Sequence, residues 1–395
     1  MKKNKAYKFR IYPNDSQKVL ILKTFGCSRF IYNHLLSDKS EYYKETKKSL
    51  KRLEFYYKKI PDYAFLKEVD SLALMNSRRN LEGAFERFFK NQSKYPKFKC
   101  KGKKDSYTTN NQCYGKEKDK FTIEFTSDGL KLPKLGVVKI KQHRKLKDNE
   151  TIKSVTISRS GNSYYASILV EYEADEILPV FDVSPDEVIG FDFSVPHFAV
   201  DSNGILIDMP HWYRESQEKL AREQRKLSKK IDVFNKANPG KKYVPSNNFI
   251  KQQRKVQKIA NHVANQRKDF IHKLTRELMN SDYKVFAFED INLQNMSQCL
   301  NLGKSVMDNG FGMFRDILKY KAENEGKCFV KIDKWYASTK TCSHCGHKND
   351  KITLKTQEWT CPECNIKHNR DHNAAINIKN EGYRVWKTLQ PSQVA

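Results

Sequence analysis

The spacing of hydrophobic and polar residues divides the first half of the chain into three parts. Residues 1–12 alternate weakly, which predicts a strand. From residue 15 to about residue 90, apolar residues recur at helical spacing, and Asp15 or Ser16 is predicted to cap the first helix. Over residues 105–175, β-branched and aromatic residues alternate between Gly and Asn turns, which predicts a small β-barrel or sandwich. If the first strand joins that sheet, the helical region is an insertion into a β-domain.

The second half begins after an acidic, proline-containing stretch at residues 171–187, which predicts a linker. Residues 188–193 predict a strand, and the turn residues 201–204 predict a hairpin after it. Two long basic helices follow, split by a loop near residues 236–246. Apolar positions in the second of these helices keep steps of three, four and seven, and Arg267 lies on the same stripe. The remaining predicted elements are a strand at 285–288, a helix around 304–325, a strand at 328–332 and a last helix from about 372.

Positive charge is concentrated in two segments of this 395-residue chain. The net charge is +28, of which residues 1–110 contribute 27 − 11 = +16 and residues 211–280 contribute 18 − 6 = +12. Segregated basic charge with interleaved aromatic residues indicates a polyanion partner, and nucleic acid is favoured over solvated basic faces or an anionic membrane surface. No apolar run reaches the ~18 residues of a membrane helix, and the basic start has no apolar stretch of a secretory signal. A cytoplasmic protein without a membrane partner is therefore expected.

Four cysteines form the strongest single motif. Cys342, Cys345, Cys361 and Cys364 make two Cys-x2-Cys pairs separated by fifteen residues, a spacing that predicts a tetrahedral thiolate site for one structural Zn²⁺. Because protein ligands fill all four positions, the site is expected to contribute folding energy rather than chemistry. The alternative is four incidental cysteines. Nearby histidines that could replace a ligand are His344, His347, His368 and His372.

Three acidic residues form the second candidate site. Asp192 lies in a strand before a hairpin, Glu289 ends a buried strand, and Asp371 begins a helix just past the cysteines. Converging carboxylates are the ligands that paired Mg²⁺ (or Mn²⁺) ions need, and an RNase H-like fold would supply acids in this order. Singly, each has another reading: Asp192 as a turn residue, Glu289 as one of a strand-end pair with Asp290, and Asp371 as a helix N-cap.

Five segments resemble motifs of the TnpB family, the accessory nucleases of bacterial insertion sequences. Phe191-Asp-Phe-Ser with residues 198–204 is similar to the family's first RuvC motif, although Ser194 stands where many members have Gly. Phe288-Glu-Asp-Ile-Asn-Leu-Gln-Asn-Met resembles the second RuvC motif. Asn369-Arg-Asp-His-Asn-Ala-Ala-Ile-Asn-Ile resembles the third. Ser338-Thr-Lys-Thr-Cys-Ser-His-Cys-Gly resembles the zinc-finger opening, and residues 94–99 with 105–109 resemble a basic loop. The likeness covers nearly the whole chain in the same order.

The resemblance implies an RNA-guided DNA endonuclease. A guide RNA from the transposon end would pair with target double-stranded DNA, next to a short flanking motif that the protein reads. Asp192, Glu289 and Asp371 would be the catalytic, metal-binding residues, holding two divalent ions about 4 Å apart. Alternatives are a compact type V CRISPR effector and a nuclease-inactive RNA-guided repressor, against which the intact triad speaks. A transposase is a further alternative, but the sequence lacks the His-hydrophobic-His motif of single-strand transposases.

The basic segments are expected to form a channel that holds a guide–target heteroduplex by its backbone. Arg267 is the foremost candidate phosphate contact, although it could equally be a snorkelling side chain on a helix face. Arg78 and Arg79 could read bases or phosphates, or could form a solvated face. The full set of candidate contacts is Arg78, Arg79, Lys97, Lys99, Arg267 and Lys268.

The predicted architecture is a multidomain α+β protein, monomeric or weakly dimeric. It combines an RNase H-like (RuvC) nuclease domain that carries an inserted zinc ribbon with a preceding β-barrel domain interrupted by a helical domain. The predicted boundaries are 1–14 and 105–180 for the barrel, 15–104 for the helical domain, 186–336 and 367–390 for the nuclease domain, and 337–366 for the ribbon.

Overall fold

The protein, described here by a computed structural model, divides into two compact units, Met1–Asp175 and Glu176–Ala395. Each unit has its own sheet and its own hydrophobic core. Within the described residues, no helix combines the length and the apolar character needed to cross a membrane. The structure describes residues 1–48, 50, 57–102, 104–114, 120–194, 197–208, 210–241, 243–290, 310–353 and 355–389.

The first unit is built on a seven-stranded sheet in which the N-terminal strand is central. Its alternating pattern buries Tyr7, Phe9 and Ile11 on one face, as the period of two predicted. The strands of this unit are β1 (Lys2–Tyr12), β2 (Ser106–Asn110), β3 (Cys113–Tyr114), β4 (Lys120–Phe121), β5 (Glu124–Thr126), β6 (Gly129–Leu132), β7 (Gly136–Lys141), β8 (Glu150–Ser160) and β9 (Ser163–Glu173).

The strand order in this sheet is β2-β8-β9-β1-β7-β6-β5, and β3 pairs with β4 separately. Strand β1 pairs antiparallel with β9 from Lys2 opposite Glu173 to Ile11 opposite Tyr164, and with β7 at its other edge. The first strand therefore does join the sheet formed after residue 105, and the helical segment lies between them in sequence.

Two helices, α1 (Asp15–Thr46) and α2 (Ser71–Phe89), make up most of that segment. The predicted cap of α1 was wrong, because Asn14 is the N-cap: its side chain accepts from the amide of Gln17, whose own side chain accepts from the amide of Asn14. The reciprocal pair forms because Asn14 keeps an extended backbone while Asp15 is already helical. Glu171–Glu173 belong to β9 rather than to the predicted linker, which begins after them.

The second unit is built on a five-stranded mixed sheet and a small two-stranded ribbon. The strands are β10 (Val188–Phe193), β11 (Ala199–Asp201), β12 (Leu206–Ile207), β13 (Val285–Glu289), β14 (Cys328–Ile332), β15 (Glu358–Thr360) and β16 (Lys367–Asn369). The strand order in the larger sheet is β12-β11-β10-β13-β14. Strands β10, β13 and β14 are parallel, whereas β11 and β12 run antiparallel to their neighbours.

Helices cover both faces of the larger sheet. The four helices described in this unit are α3 (Trp212–Ala237), α4 (Asn247–Asn280), α5 (Phe311–Asn324) and α6 (Arg370–Leu389). The helices predicted at these places are confirmed, although residues 304–309 of the helix predicted around 304–325 lie outside the described residues. Odd positions of β10, such as Phe191, join a core with α4 and α5, whereas even positions face α6.

The absence of a side chain at Gly190 lets α6 lie directly on the sheet. A Cβ added at Gly190 would stand 2.4 Å from the Ala375 carbonyl oxygen and 2.4 Å from the Lys379 nitrogen, both backbone atoms of α6. Three residues after Lys379 on the same helix, a Cβ on Gly382 would stand 2.3 Å from the Cβ of Ala287 in β13. Glycines on the two partners therefore set the distance between α6 and the sheet.

Candidate active site

Strand register brings two of the three predicted acids side by side. Strands β10 and β13 are parallel, and their paired positions run from Val188 opposite Val285 to Phe191 opposite Phe288. One residue further along the same register, Asp192 stands next to Glu289. Neighbouring strands are about 4.8 Å apart, so both carboxylates lie together at the carboxyl end of the parallel strands.

The alternation of the strands turns both acids toward α6. Gly190 contacts the backbone of α6, and Asp192 is two residues further along, on the same face. In β13, Ala287 packs with Ile378 of α6, and Glu289 follows it at the same spacing. Asp371 stands in the first turn of α6. The three acids predicted from sequence therefore converge from three separate elements.

Asp371 is not the cap of its helix, so that alternative is wrong. The side chain of Asn369 performs the capping and accepts from the amides of Asp371 and His372, each at 3.1 Å. The Asp371 carboxylate is left to side-chain partners. Its Oδ1 accepts from Arg370 Nε at 2.8 Å, and its Oδ2 accepts from Ser194 Oγ at 3.4 Å. Ser194, the position that departs from the family pattern, thus contacts a catalytic candidate.

The electrostatics of the site are those of crowded, poorly solvated carboxylates. Burial raises the pKa of Asp192 well above its usual value, the charges of Glu289 and Asp371 raise it further, and Arg370 opposes them. Burial also raises the pKa of Glu289, against the hydrogen bond that its Oε1 accepts from Ser338 Oγ. Among the described residues, burial and the two neighbouring carboxylates therefore outweigh the opposing charge of Arg370 at Asp192.

Glu289 and Asp290 do not act as a strand-end pair. The neighbouring Asp290 is exposed and bonds to Lys331 at 2.9 Å, which holds the pKa of Asp290 below its usual value. The pKa values of Glu289 and Asp290 are thus moved in opposite directions by their surroundings. Divergent environments for adjacent acids are typical of functional sites.

The four predicted zinc ligands converge as a second site. The sulfur atoms of Cys342, Cys345, Cys361 and Cys364 all lie within 4.8 Å of one another, and two of the separations are 3.7 and 3.6 Å. Tetrahedral zinc with Zn–S bonds of about 2.3 Å needs sulfurs roughly 3.8 Å apart. The donor set and its spacing fit one structural Zn²⁺. Within the described part of the chain, this is the one set of three or more such ligand atoms drawn so close together.

Two knuckles with the same hydrogen bonds carry these cysteines. The amide of Cys342 donates to the carbonyl of His347, and the amide of Gly346 donates to the carbonyl of Cys342, both at 2.9 Å. Cys361 and Asn365 repeat this arrangement nineteen residues later. Gly346 and Asn365 have φ of +77° and +56°, which residues of these two types adopt most readily.

Three of the four histidines that could replace a zinc ligand contact other groups. His368 is buried, and its Nε2 lies 3.0 Å from the sulfur of Cys342, where it acts as a hydrogen-bond partner of a ligand rather than a replacement. His347 stands beside Glu363, and His372 bonds to the carbonyl oxygen of Ser202.

The candidate nucleic-acid contacts have varied surroundings. Arg78 pairs with Glu82 at 2.9 Å on α2, and the stem of Arg267 packs against Gly310. Lys99 is exposed, but its ammonium lies 4.0 Å from the ring centre of Tyr32, where partial desolvation lowers its pKa. Arg79, Lys97 and Lys268 are exposed. Their roles in binding stay predictions.

Four further residues at the site were not anticipated. Arg370 pairs with Asp371, Ser338 donates to Glu289, and Asn373 and Asn377 are buried on α6. A signal for the asparagines was present: two amides four residues apart within Asn-Ala-Ala-Ile-Asn place polar groups on an otherwise apolar helix face. Ser338 carries no comparable signal, because its contact with Glu289 depends on tertiary structure.

Comparison with known proteins identifies the class. Family models match residues 167–300 (OrfB_IS605, described as "Probable transposase"), residues 311–378 ("Cas12f1-like, TNB domain") and residues 1–48 ("Helix-turn-helix domain"). A Streptomyces pristinaespiralis protein named "Putative RNA-guided DNA endonuclease" is 30% identical over 95% of this chain and 88% of its own. The Escherichia coli protein named "Putative RNA-guided DNA endonuclease InsQ" is 27% identical over 98% and 94%. The chain belongs to the TnpB family of insertion-sequence proteins.

A solved structure supports the fold over the whole length. The protein chain in the cryo-electron microscopy structure of a "Cas12f1-sgRNA-target DNA complex" superposes with a TM-score of 0.59 at 13% identity, covering 96% of this chain and 99% of that one. One description does not fit the geometry: residues 1–48, matched as a helix-turn-helix, form strand β1 and the single 32-residue helix α1.

Proposed function

We propose that this protein is an RNA-guided DNA endonuclease that hydrolyses target DNA at the Asp192, Glu289 and Asp371 site. The observation that carries the proposal is the convergence of these three acids, 97 and 82 residues apart in sequence, at the carboxyl ends of β10 and β13 and in the first turn of α6. In a structural ion pair, the adjacent cation lowers the pKa of the carboxyl group. The pKa values of Asp192 and Glu289 are instead raised. Such a cluster is suited to binding divalent cations.

The topology supports an RNase H-like (RuvC) nuclease domain. If β10 to β14 are counted from one to five, the sheet order is 3-2-1-4-5 with the second strand antiparallel to the first. The acids lie on the first strand, on the fourth strand and at the start of the helix that packs across them. Open sheets bind ligands beyond the carboxyl ends of parallel strands, and the three acids occupy that position.

The residues divide the catalytic work by position. Asp192 and Glu289 would hold Mg²⁺ or Mn²⁺ from adjacent strands, and Asp371 would hold it from the helix. When bound, a pair of divalent ions supplies an activated water and stabilises the leaving 3′ oxygen. Arg370, 2.7 Å from Asp371 Oδ1, offsets part of the like-charge repulsion between the acids.

The partners proposed are a guide RNA from the transposon end and target double-stranded DNA. The basic charge of residues 1–110 and of residues 211–280 supports binding to the phosphate backbone of a guide–target heteroduplex. The names of the relatives, and the guide RNA and target DNA named in the Cas12f1 complex, support the same partners. Sequence specificity would come from base pairing together with a short flanking motif read by the protein.

The test begins with the RNA. The chain is expressed with its native flanking DNA, purified, and the bound RNA is sequenced. One discrete RNA that runs from the element into variable sequence is expected. A plasmid that carries the matching target beside randomised flanking bases is then expected to be cut in Mg²⁺ by the wild type and not by Asp192→Ala.

The alternatives give different results. Bound RNA made of repeats and spacers would assign the protein to a CRISPR system. A discrete guide without cleavage in Mg²⁺ or Mn²⁺ would favour a guided repressor. Tight, salt-dependent duplex binding without any specific RNA would refute the guided function.

A further inference from the structure

A row of buried polar contacts joins the first zinc knuckle to the carboxylate site, and the functions described above do not use it. Asn373 and Asn377 lie one turn apart on α6 and are 1% and 4% exposed. Residues four apart share a helix face. Both amides point at the turn formed by residues 337–343, which contains the zinc ligand Cys342.

Asn373 holds the backbone on both sides of Cys342. Its Nδ2 donates to the Thr341 carbonyl at 2.8 Å, and its Oδ1 accepts from the Ser343 amide at 2.9 Å. A carboxamide can serve a carbonyl and an amide together, whereas an ionised carboxylate only accepts. The peptide groups that flank the zinc ligand are thereby fixed to α6.

Asn377 extends the row toward the acids. Its Nδ2 donates to the carbonyls of Thr341 and Ser338 at 2.6 and 2.7 Å. Ser338 is 2% exposed, and its hydroxyl donates to Glu289. Because these hydrogen bonds are buried or partly buried, displacement of one member leaves the next without its partner, which is costly where access to water is restricted.

We propose that Asn373, Asn377 and Ser338 form a positioning bridge through which an intact zinc knuckle fixes the Glu289 carboxylate and holds the start of α6, with Asp371, in register with it. The inference rests on the proposed function, because it takes these acids to bind divalent cations. Groups that orient metal ligands change metal affinity by about 10- to 100-fold when they are lost. The zinc site therefore contributes to the nuclease site's metal affinity as well as to stability.

The bridge is tested by Mn²⁺ binding to the full-length protein without nucleic acid, followed by the electron paramagnetic resonance signal of free Mn²⁺. Asn377→Ala is expected to weaken Mn²⁺ binding about 10- to 100-fold. Asn380→Ala, at an exposed position of the same helix, is the matched control and is expected to bind like the wild type. Cys345→Ser, which removes a zinc ligand outside the bridge, is expected to weaken Mn²⁺ binding to a similar extent.

A double-mutant cycle separates positioning from general destabilisation. Ser338→Ala removes one hydroxyl and retains the carbonyl that Asn377 binds. Because both side chains act in series on Glu289, the variant with Ser338→Ala and Asn377→Ala should lose little more Mn²⁺ affinity than the worse single variant. Additive losses, or wild-type Mn²⁺ affinity in a folded Asn377→Ala or Ser338→Ala protein, would overturn the bridge.

One variant distinguishes failure of the bridge from failure of the proposed function. If Asp192→Asn leaves the Mn²⁺ affinity of the wild type unchanged, the acids are no metal site, and the bridge and the proposed function fall together. If Asp192→Asn abolishes Mn²⁺ binding while Asn377→Ala does not change it, the bridge alone is wrong.

Discussion

The close contact of α6 with the sheet makes Gly190 a sensitive position for stability and for the proposed cleavage activity. In Gly190→Ala, the new Cβ would meet the Ala375 carbonyl oxygen and the Lys379 nitrogen at 2.4 Å. Ordinary contacts of this kind are about 3.4 Å, so α6 must move out by about 1 Å. These atoms are backbone and cannot rotate away, which places the cost at the upper end of overpacking, about 3 kcal/mol.

Two consequences follow from that movement. For a unit of this size, 1 kcal/mol corresponds to about 2–4 °C in melting temperature, so Gly190→Ala should lower the melting temperature by roughly 6–12 °C. Asp371 would move with α6 relative to Asp192, which lies two residues from the substitution. A displacement of about 1 Å at reacting groups costs about 100-fold in rate, so guided plasmid cleavage should fall by that factor at temperatures where the protein stays folded.

Gly26→Ala is the matched control for the Gly190 variant. Gly26 lies within α1, and an added Cβ would meet nothing within 4 Å. This change should leave cleavage unaltered and stabilise the protein by about 0.5–1 kcal/mol, because alanine is the better helix former. Differential scanning fluorimetry and cleavage time courses measure both variants. A Gly190→Ala protein with wild-type melting temperature and wild-type rate would refute the close packing of α6.

Four further outcomes are expected. With a chelator present at neutral pH, Asp192→Asn should have a higher melting temperature than the wild type, because the raised pKa of Asp192 means that the fold disfavours its charged form. This difference in melting temperature should shrink as the pH falls through the pKa of Asp192. A difference that does not depend on pH would contradict this cause. Zinc analysis should find one Zn²⁺ per wild-type chain and none in Cys345→Ser, whereas retained zinc would remove that thiol from the ligand set. Lys268→Ala should reduce the salt dependence of DNA binding by about one phosphate contact, while Arg78→Ala, whose charge is paired with Glu82, should leave the slope unchanged; the reverse ranking would assign the contact to the other side chain. Hydrogen bonds from Lys226 and Gln252 lower the pKa of Glu223 to about 2. Glu223→Gln should therefore be less stable than the wild type above about pH 4.5, and this difference should disappear as the pH is lowered toward 2. Melting curves over this pH range would contradict the argument if the difference persisted at the acid end.

Local periodicity was sufficient to predict the elements that position the site. The strands before Asp192 and Glu289 were predictable because they combine β-branched and aromatic residues with sharp boundaries, and the zinc site because its spacing is a local property of two knuckles. The cap of α1 was missed because Asn14, Asp15 and Ser16 are all good capping residues, and only the backbone geometry and the reach of Gln17 decide between them.

The features that the sequence did not predict depend on contacts between residues that are distant in sequence. Arg267 interrupts an apolar stripe because its stem packs on Gly310, a residue 43 positions away. The pairing register of two strands also cannot be read from the sequence. Asp192 stands next to Glu289 because β10 and β13 pair with an offset of 97 residues. A shift of this register by one residue would turn one of the two side chains to the opposite face of the sheet. The hydrogen bond from Ser338 to Glu289 likewise depends on how the chain folds and not on a local pattern.

The long separation of Asp192 and Asp371 in sequence has a consequence for synthesis. At about 5–20 residues per second, the ribosome needs roughly 9–36 s to add the 179 residues that lead from Asp192 to Asp371. Val188 and Val285 lie on the face of the sheet that Trp386 of α6 covers, so this face stays uncovered until α6 has been made. The last helix therefore completes both the hydrophobic core of this unit and the proposed carboxylate site.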